Sequence, residues 1–299
     1  MNQLRQKLQR FCCLTPSYLG MRSTFTCPLI GLLCAWPVLA EAQLQLLADK
    51  EIQAVFAGDA RDVSVMFHNP AQTNCELDFR VRISQASSST AVPISENAWK
   101  RLLVPANETV LESARLDFPD VRAETKFIVQ WTVNSNQVIG PTEVLVYPTN
   151  LLRELKSLLG EETFGVLDPN NELKSLLKSD GVEFLDLGEM ALEDCTGKLA
   201  IIGPFHSKDQ IREGLAQAVQ RTARKGMAVV WLQPPSGAKA DIKPSFYTVP
   251  EGRGAVVIVQ PELVANLSDN PKSQLNLVYF CKLALNPAPQ QLPNLFPQP

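Results

Sequence analysis

The chain has 299 residues, 45% of them hydrophobic and 20% charged. That is enough apolar content to pack one or two domains and too much for wholesale disorder. The formal net charge of −3 argues against a general nucleic-acid binder, which needs a basic face to meet phosphates. Only two histidines occur, His68 and His206, so a multi-histidine metal centre is excluded, and no Cys-x-x-Cys spacing offers a zinc site.

The chain opens with an address. Residues 26–40 read TCPLIGLLCAWPVLA, without a charge, and Arg22 lies just before them. Val38 and Ala40 supply the small residues of a cleavage site before Glu41, and Ala42 offers a second cut. A charged front, a short apolar run and small residues at the cut predict a signal peptide over 1–42. The run is shorter than the ~20 apolar residues of a membrane span. Residues 1–20 form a polar-basic preface before Met21, and the expected translation start is Met21. Removing 1–42 takes away four cations and one carboxylate and moves the net charge from −3 to about −6. The expected product is exported, periplasmic or extracellular, with no transmembrane segment left. Of seven cysteines, Cys75, Cys195 and Cys281 remain. An odd number leaves at least one thiol unpaired, and a Cys195–Cys281 disulfide stays open.

From 43 to 148 the apolar period is two. In CELDFRVRIS (75–84), Cys75, Leu77, Phe79, Val81 and Ile83 share one face, and Glu76, Asp78, Arg80, Arg82 and Ser84 the other. Such alternation predicts a strand with one face buried and one wet. Residues 62–68 and 125–133 repeat it, and 52–56, 102–104, 109–118 and 142–147 are further candidates. About seven short strands separated by turn-rich pieces, in ~100 residues, form the pattern of an all-β immunoglobulin-like sandwich. His68 reads as a solvated strand-end residue and Trp131 as core. Trp99 reads either as core or as an exposed aromatic for sugar rings.

Past Pro148 the period changes. Asn150 is placed to cap a helix carrying Leu151, Leu152, Leu155, Leu158 and Leu159, closed by Gly160. FGVL (164–167) predicts a short buried strand and residues 173–177 a helix. Residues 182–187, 198–203, 227–232 and 255–259 predict strands. Ser207-Lys208-Asp209-Gln210 has capping-box spacing, and residues 271–285 predict a last helix. Strands alternating with helices and apolar on both faces predict a parallel sheet covered on both sides. That domain spans 149–286, and 287–299 is a Pro-rich tail.

These stretches carry a resemblance. FGVLDP (164–169), LKSLLKSDGVEF (173–184), KLAIIGP (198–204), RKGMAVVWLQ (224–233) and NPKSQLNLVYFCKLAL (270–285) resemble the class I glutamine amidotransferase-like domains, three-layer α/β folds of flavodoxin type. The resemblance is strongest to the degenerate ones appended to exported bacterial carbohydrate-active proteins. Active members need a Cys on a Gly-x-Cys-x-Gly elbow, activated by a downstream His and Glu. The matching strand end here reads Val230-Trp231-Leu232-Gln233-Pro234-Pro235, with neither Cys nor Gly. The Gly-Gly turn that serves the oxyanion is Gly203-Pro204 here, and no His follows His206. The resemblance therefore implies the scaffold without its chemistry.

In open α/β sheets, ligands bind beyond the carboxyl ends of the strands. The residues expected there are Asp168, Asp186, His206, Ser207, Gln233 and Gln260. The expectation is a non-catalytic, exported two-domain binding or assembly protein of the bacterial envelope, without cofactor or metal, meeting a protein or glycan partner. The alternative is a hydrolase acting on carbohydrate through the strand-end carboxylates Asp168 and Asp186, which would need to stand ~5–9.5 Å apart across a cleft.

Overall fold

A computed structural model describes residues 44–49, 51–133, 137–234 and 246–287. The leader over 1–42 with its start at Met21, and the tail from residue 288 onward, lie outside the described residues. No helix among the described residues is long and apolar enough to cross a membrane.

The alternating half forms eight strands: β1 (Gln45–Leu47), β2 (Gln53–Phe56), β3 (Gly58–His68), β4 (Cys75–Ala86), β5 (Ala91–Val104), β6 (Thr109–Phe118), β7 (Thr125–Val133) and β8 (Gln137–Tyr147). They make two sheets, ordered β1-β3-β6 and β2-β8-β7-β4-β5. Every pairing is antiparallel except the parallel β2–β8 pair. The inward residues of both sheets share one core, with Val63, Val65 and Phe67 from the small sheet and Phe79, Val81, Ile83, Phe127 and Val129 from the large one. Trp131 is wholly buried at its centre. Its indole N–H donates to Thr142 Oγ1 at 2.9 Å, so the polar atom costs little there.

Two departures from the sequence expectation matter in this half. β5 runs over 14 residues, where alternation predicts only 102–104. Its first half carries Val92 and Ile94 exposed at 55% and 45%, while Ser95 and Asn97 lie opposite the buried Ile83 and Val81. Those two polar residues, and a bulge between Ile83 and Ser84 that shifts the alternation by one residue, hide the strand from a period-two reading. The register of β3 on β6 is broken between Gly58 and Arg61, a bulge in which Gly58 (φ +117°) and Ala60 (φ +54°) both take positive φ.

The second half contains α1 (Glu154–Leu159), β9 (Phe164–Leu167), α2 (Glu172–Ser179), β10 (Leu185–Asp186), β11 (Leu199–Ile202), α3 (Leu215–Arg224), β12 (Ala228–Leu232), β13 (Phe246–Glu251), β14 (Gly254–Val259) and α4 (Pro271–Leu285). One sheet is ordered β10-β9-β11-β12-β14-β13. It is parallel apart from β13, which returns antiparallel on β14. α1, α2 and α4 bury Leu155, Leu173, Leu177, Leu277 and Phe280 against Val166, Ile201, Val230 and Val257. On the opposite face α3 buries Leu215, Val219 and Ala223 against Ala200, Ile202, Val229 and Val256. Burial on both faces explains why these strands are continuously apolar.

Three local expectations need correction. The strand predicted at 182–187 shrinks to Leu185–Asp186. The Ser207 capping box does not form: Lys208–Gln210 is a 3-10 turn without a side-chain cap. α3 begins only at Leu215, after Gly214 at φ +81°, a left-handed residue that breaks any helix continued from 208. Asn150 likewise makes no side-chain cap, and Leu151–Arg153 is a 3-10 turn. β13 had no sequence signal because Pro250 interrupts it, and Pro is tolerated on an edge strand. The described residues belong to one compact unit, and α4 meets the sandwich where Lys272 Nζ pairs with Glu51 Oε2 at 3.1 Å.

Candidate functional site

The crossovers leave β9 and β11 on opposite faces. α2 follows β9 on one side of the sheet and α3 follows β11 on the other. Their loops diverge above the carboxyl ends of the strands, the place where such sheets open a crevice. A cleft of about 760 Å³ lies there, walled by Glu172 and Ser175 of α2, by Pro204–His206 after β11, by Gln233 after β12, and by the 265–268 loop before α4.

Side chains stitch the loops that form its rim. Gln210 Nε2 donates to Asn170 Oδ1 at 2.6 Å, and its Oε1 accepts from the His206 backbone N–H at 2.6 Å. Asn170 Nδ2 donates to the Pro204 carbonyl at 3.2 Å. The loops after β9 and β11 are thus held together by one amide pair. His206 Nε2 lies 2.7 Å from Glu172 Oε1, with both side chains more than half exposed. Solvent screens that pair, which is worth little as a stability term. Gln233 is fixed by its backbone N–H, which donates to the Val259 carbonyl at 2.8 Å.

The expected carboxylates stand elsewhere. Asp168 is buried at 1% exposure and accepts from the backbone N–H groups of Asn170 (3.0 Å) and Lys174 (3.1 Å). It takes over the capping of α2, since Asn171, at left-handed φ, gives no side-chain cap. Burial pushes the Asp168 carboxyl above its usual range, against those backbone donors and the Lys174 ammonium. Lys174 is itself buried and its Nζ lies 2.6 Å from Asp186 Oδ1. That hydrogen bond holds the Asp186 carboxyl below its usual range. Asp168 and Asp186 therefore flank one lysine and do not face each other across the cleft. The structure brings His206 and Gln233 to the cleft wall and leaves Asp168, Asp186, Ser207 and Gln260 outside it.

The nucleophilic groups near the cleft are committed. Ser175 Oγ donates to the Asn171 carbonyl at 2.5 Å, Ser179 Oγ to the Leu176 carbonyl at 2.8 Å, and Ser268 Oγ to Asp269 Oδ2 at 2.9 Å. The Gly203 N–H donates to the Leu167 carbonyl at 2.8 Å, and Pro204 has none to give. Cys195 and Cys281 are free and buried. Cys195 lies in the core on the α3 face and Cys281 in the core on the α4 face, so the sheet stands between them and no disulfide joins them. Burial raises the Cys281 thiol far above its ordinary pKa. Among the described residues no cluster of three or more His, Cys, Asp or Glu is placed to hold a metal.

Glu172, Lys174 and Ser175 escaped the sequence reading. They belong to an ordinary amphipathic helix, and only its start beside a strand-end Asp-Pro could have drawn attention to them.

No protein-family profile matches this chain, and no curated protein matches it. Solved structures give partial likenesses. The alkylpurine DNA glycosylase AlkC of Pseudomonas fluorescens is 14% identical over 36% of this chain and 31% of its own, with a TM-score of 0.28. A β-glucosidase of Listeria innocua is 16% identical over 35% and 16%, at 0.26. The sporulation control protein Spo0M of Bacillus subtilis is 12% identical over 40% and 60%, at 0.27. The chain spans less than two thirds of each, and likenesses at these scores carry no argument about function.

Proposed function

We propose that this chain is a non-catalytic, exported two-domain binding or assembly protein of the bacterial cell envelope. In this reading the first half is an immunoglobulin-like sandwich and the second a degenerate amidotransferase-like domain of flavodoxin type. Two facing sheets with one shared core support the first label. A sheet ordered β10-β9-β11-β12-β14, with its crossover helices on both faces, supports the second. Export rests on the uncharged run at 26–40 and the small residues before Glu41.

The observation that carries the reading is chemical. The three serines of the cleft wall donate within their own turns, the two thiols of this half are buried away from it, and the Gly203 N–H is spent on Leu167. Acyl transfer needs a free nucleophile beside a base and donors for an oxyanion. Glu172 orients the His206 imidazole as it would a base, but each serine lining the cleft is already hydrogen-bonded elsewhere. Carbohydrate hydrolysis through Asp168 and Asp186 has no comparable support, because both carboxylates are tied to Lys174. The cleft is suited to holding a protein or glycan partner through His206, Glu172 and Gln233. The test is turnover: the purified chain, assayed against glycosides, esters and amides, is expected to release no product. Product formation abolished by His206→Ala overturns the reading. Amino-terminal sequencing of chain recovered from the envelope is expected to begin at Glu41 or Gln43.

A further inference from the structure

A second recess lies in the other half of the molecule, between the free edges of the two sheets. β5 ends the large sheet and β6 ends the small one. A slot of about 310 Å³ opens between them. Val81 and Ile83 of β4 and Leu116 and Phe118 of β6 supply its apolar walls, and all four are core residues. Trp99 lines it as well, held by Trp131 and Phe79 at ring-centroid distances of 5.0 and 6.0 Å.

Two polar side chains of β5 stand among the apolar residues that line this slot. Asn97 and Ser95 stand opposite Val81 and Ile83 in the β4–β5 register, on the side of β5 that borders the slot, with Ser95 half-buried and Asn97 exposed. Ile94, the extra residue of the bulge between Ile83 and Ser84, lines the slot beside them. Asp59 and Asp117 stand at the mouth, on the bulged end of β3 and the facing end of β6. Asp117 Oδ1 is positioned by the Ala60 N–H at 2.8 Å, a donor that the positive φ of Ala60 supplies. The same bulge buries Arg61 Nε without an acceptor among the described residues, and bulges are over-represented next to working sites.

We propose that the β5–β6 slot binds a sugar residue of a neutral oligosaccharide, through Asn97, Ser95 and Asp117 at its polar rim and Trp99 in its wall. A pyranose ring is a disc with C–H faces and a fringe of hydroxyls. It matches a slot with apolar walls and a rim of planar amide and carboxylate groups that can each bond two neighbouring hydroxyls. The charge at the mouth selects among sugars. Two carboxylates face one guanidinium, Arg115, which also lies 3.6 Å from Asp62, so uronates and other anionic sugars are repelled. An extended peptide added to the β5 edge fits less well. Pro93 has no N–H to offer a ladder, and the β4–β5 register breaks twice along that edge. The inference does not depend on the cleft near His206.

The experiment is titration of the full chain with cellotetraose, chitotetraose and trigalacturonate, followed by calorimetry and by amide chemical shifts. At least one neutral tetrasaccharide is expected to bind, with shifts confined to β5, β6 and the Gly58–Arg61 bulge, and trigalacturonate is expected not to bind. Asn97→Ala, at an exposed edge position, is expected to weaken the neutral ligand about tenfold, the loss of one to two hydrogen bonds. A thermal melt of that variant matching the parent ties the loss to contact. The inference is overturned if no neutral tetrasaccharide binds, if Asn97→Ala binds as the parent does, if trigalacturonate binds equally well, or if the shifts fall on His206 and Gln233. Cleavage of a bound saccharide would overturn the non-catalytic reading and leave the slot standing.

Discussion

Lys174 Nζ and Asp186 Oδ1 lie 2.6 Å apart, with the lysine side chain 8% exposed and the aspartate 50% exposed. The pair is lopsided: one partner depends on the other for its charge, and the other still has water. Removing the dependent partner and removing its support should therefore differ. Asp186→Asn leaves a buried ammonium short of its counter-charge and is expected to cost about 1–2 kcal/mol, below the ~3–5 kcal/mol of a fully buried broken pair. Lys174→Met keeps the stem volume and leaves Asp186 to solvent, and at acid pH, where the buried Asp168 holds its proton and does not need the ammonium, is expected to cost less than 1 kcal/mol. Urea unfolding of both variants checks the order.

Asp168 sets a pH dependence of known sign. Burial raises its folded pKa above the unfolded value of about 3.9. Its contribution to stability is therefore full below about pH 4 and is lost as pH rises through the raised folded value. Asp186 has the opposite sign, contributing above about pH 4 and losing that as pH falls through its lowered value. In Asp168→Asn the first slope is expected to vanish while the second persists. Denaturant midpoints measured from pH 3 to pH 7 read both.

Gln210 is the brace of the cleft rim. Gln210→Ala removes the acceptor of the His206 N–H and the donor to Asn170. The expected cost is about 1–2 kcal/mol, with faster hydrogen exchange at His206 and little change in the strands. Uniform acceleration across β9 and β11 would mean that the brace holds the sheet rather than the rim.

The thiols should label in a fixed order. Cys75 is partly exposed, while Cys195 and Cys281 are buried. Burial also raises the thiols of Cys75 and Cys281, which depletes the reactive thiolate. Native alkylation is expected to reach Cys75 slowly and the other two only after unfolding. Intact mass should be the same with and without reductant.

Much of the fold could be read where one rule dominates. The Cys75–Ser84 stretch alternates because one face meets the core, and LAII at β11 is unbroken because both faces do. The reading lapsed where two demands compete. Ser95 and Asn97 put polar side chains on the side of β5 that borders the slot, and a bulge shifts the alternation there by one residue, so β5 lost its first half to the eye. Ser207 has the spacing of a cap, but the backbone turns at Gly214 and the helix begins beyond it. At the cleft, His206 and Gln233 were legible because they follow apolar strands directly. Glu172 was not, since a helix-face glutamate is usually mere surface. Asp168 was found for its position, and its bonds give it another duty.

The loop that walls the cleft at 265–268 is strapped to the first turns of α4. Ser273 Oγ donates to the Ala265 carbonyl at 2.6 Å and Gln274 Nε2 to the Leu267 carbonyl at 2.7 Å. The neighbouring Lys272 reaches Glu51 on the sandwich. One short stretch of chain thus serves as a rigid bracket, with a binding wall on one arm and the border between the halves on the other. A guest seated against that wall therefore leans on the same helix turn that carries the Lys272–Glu51 ion pair.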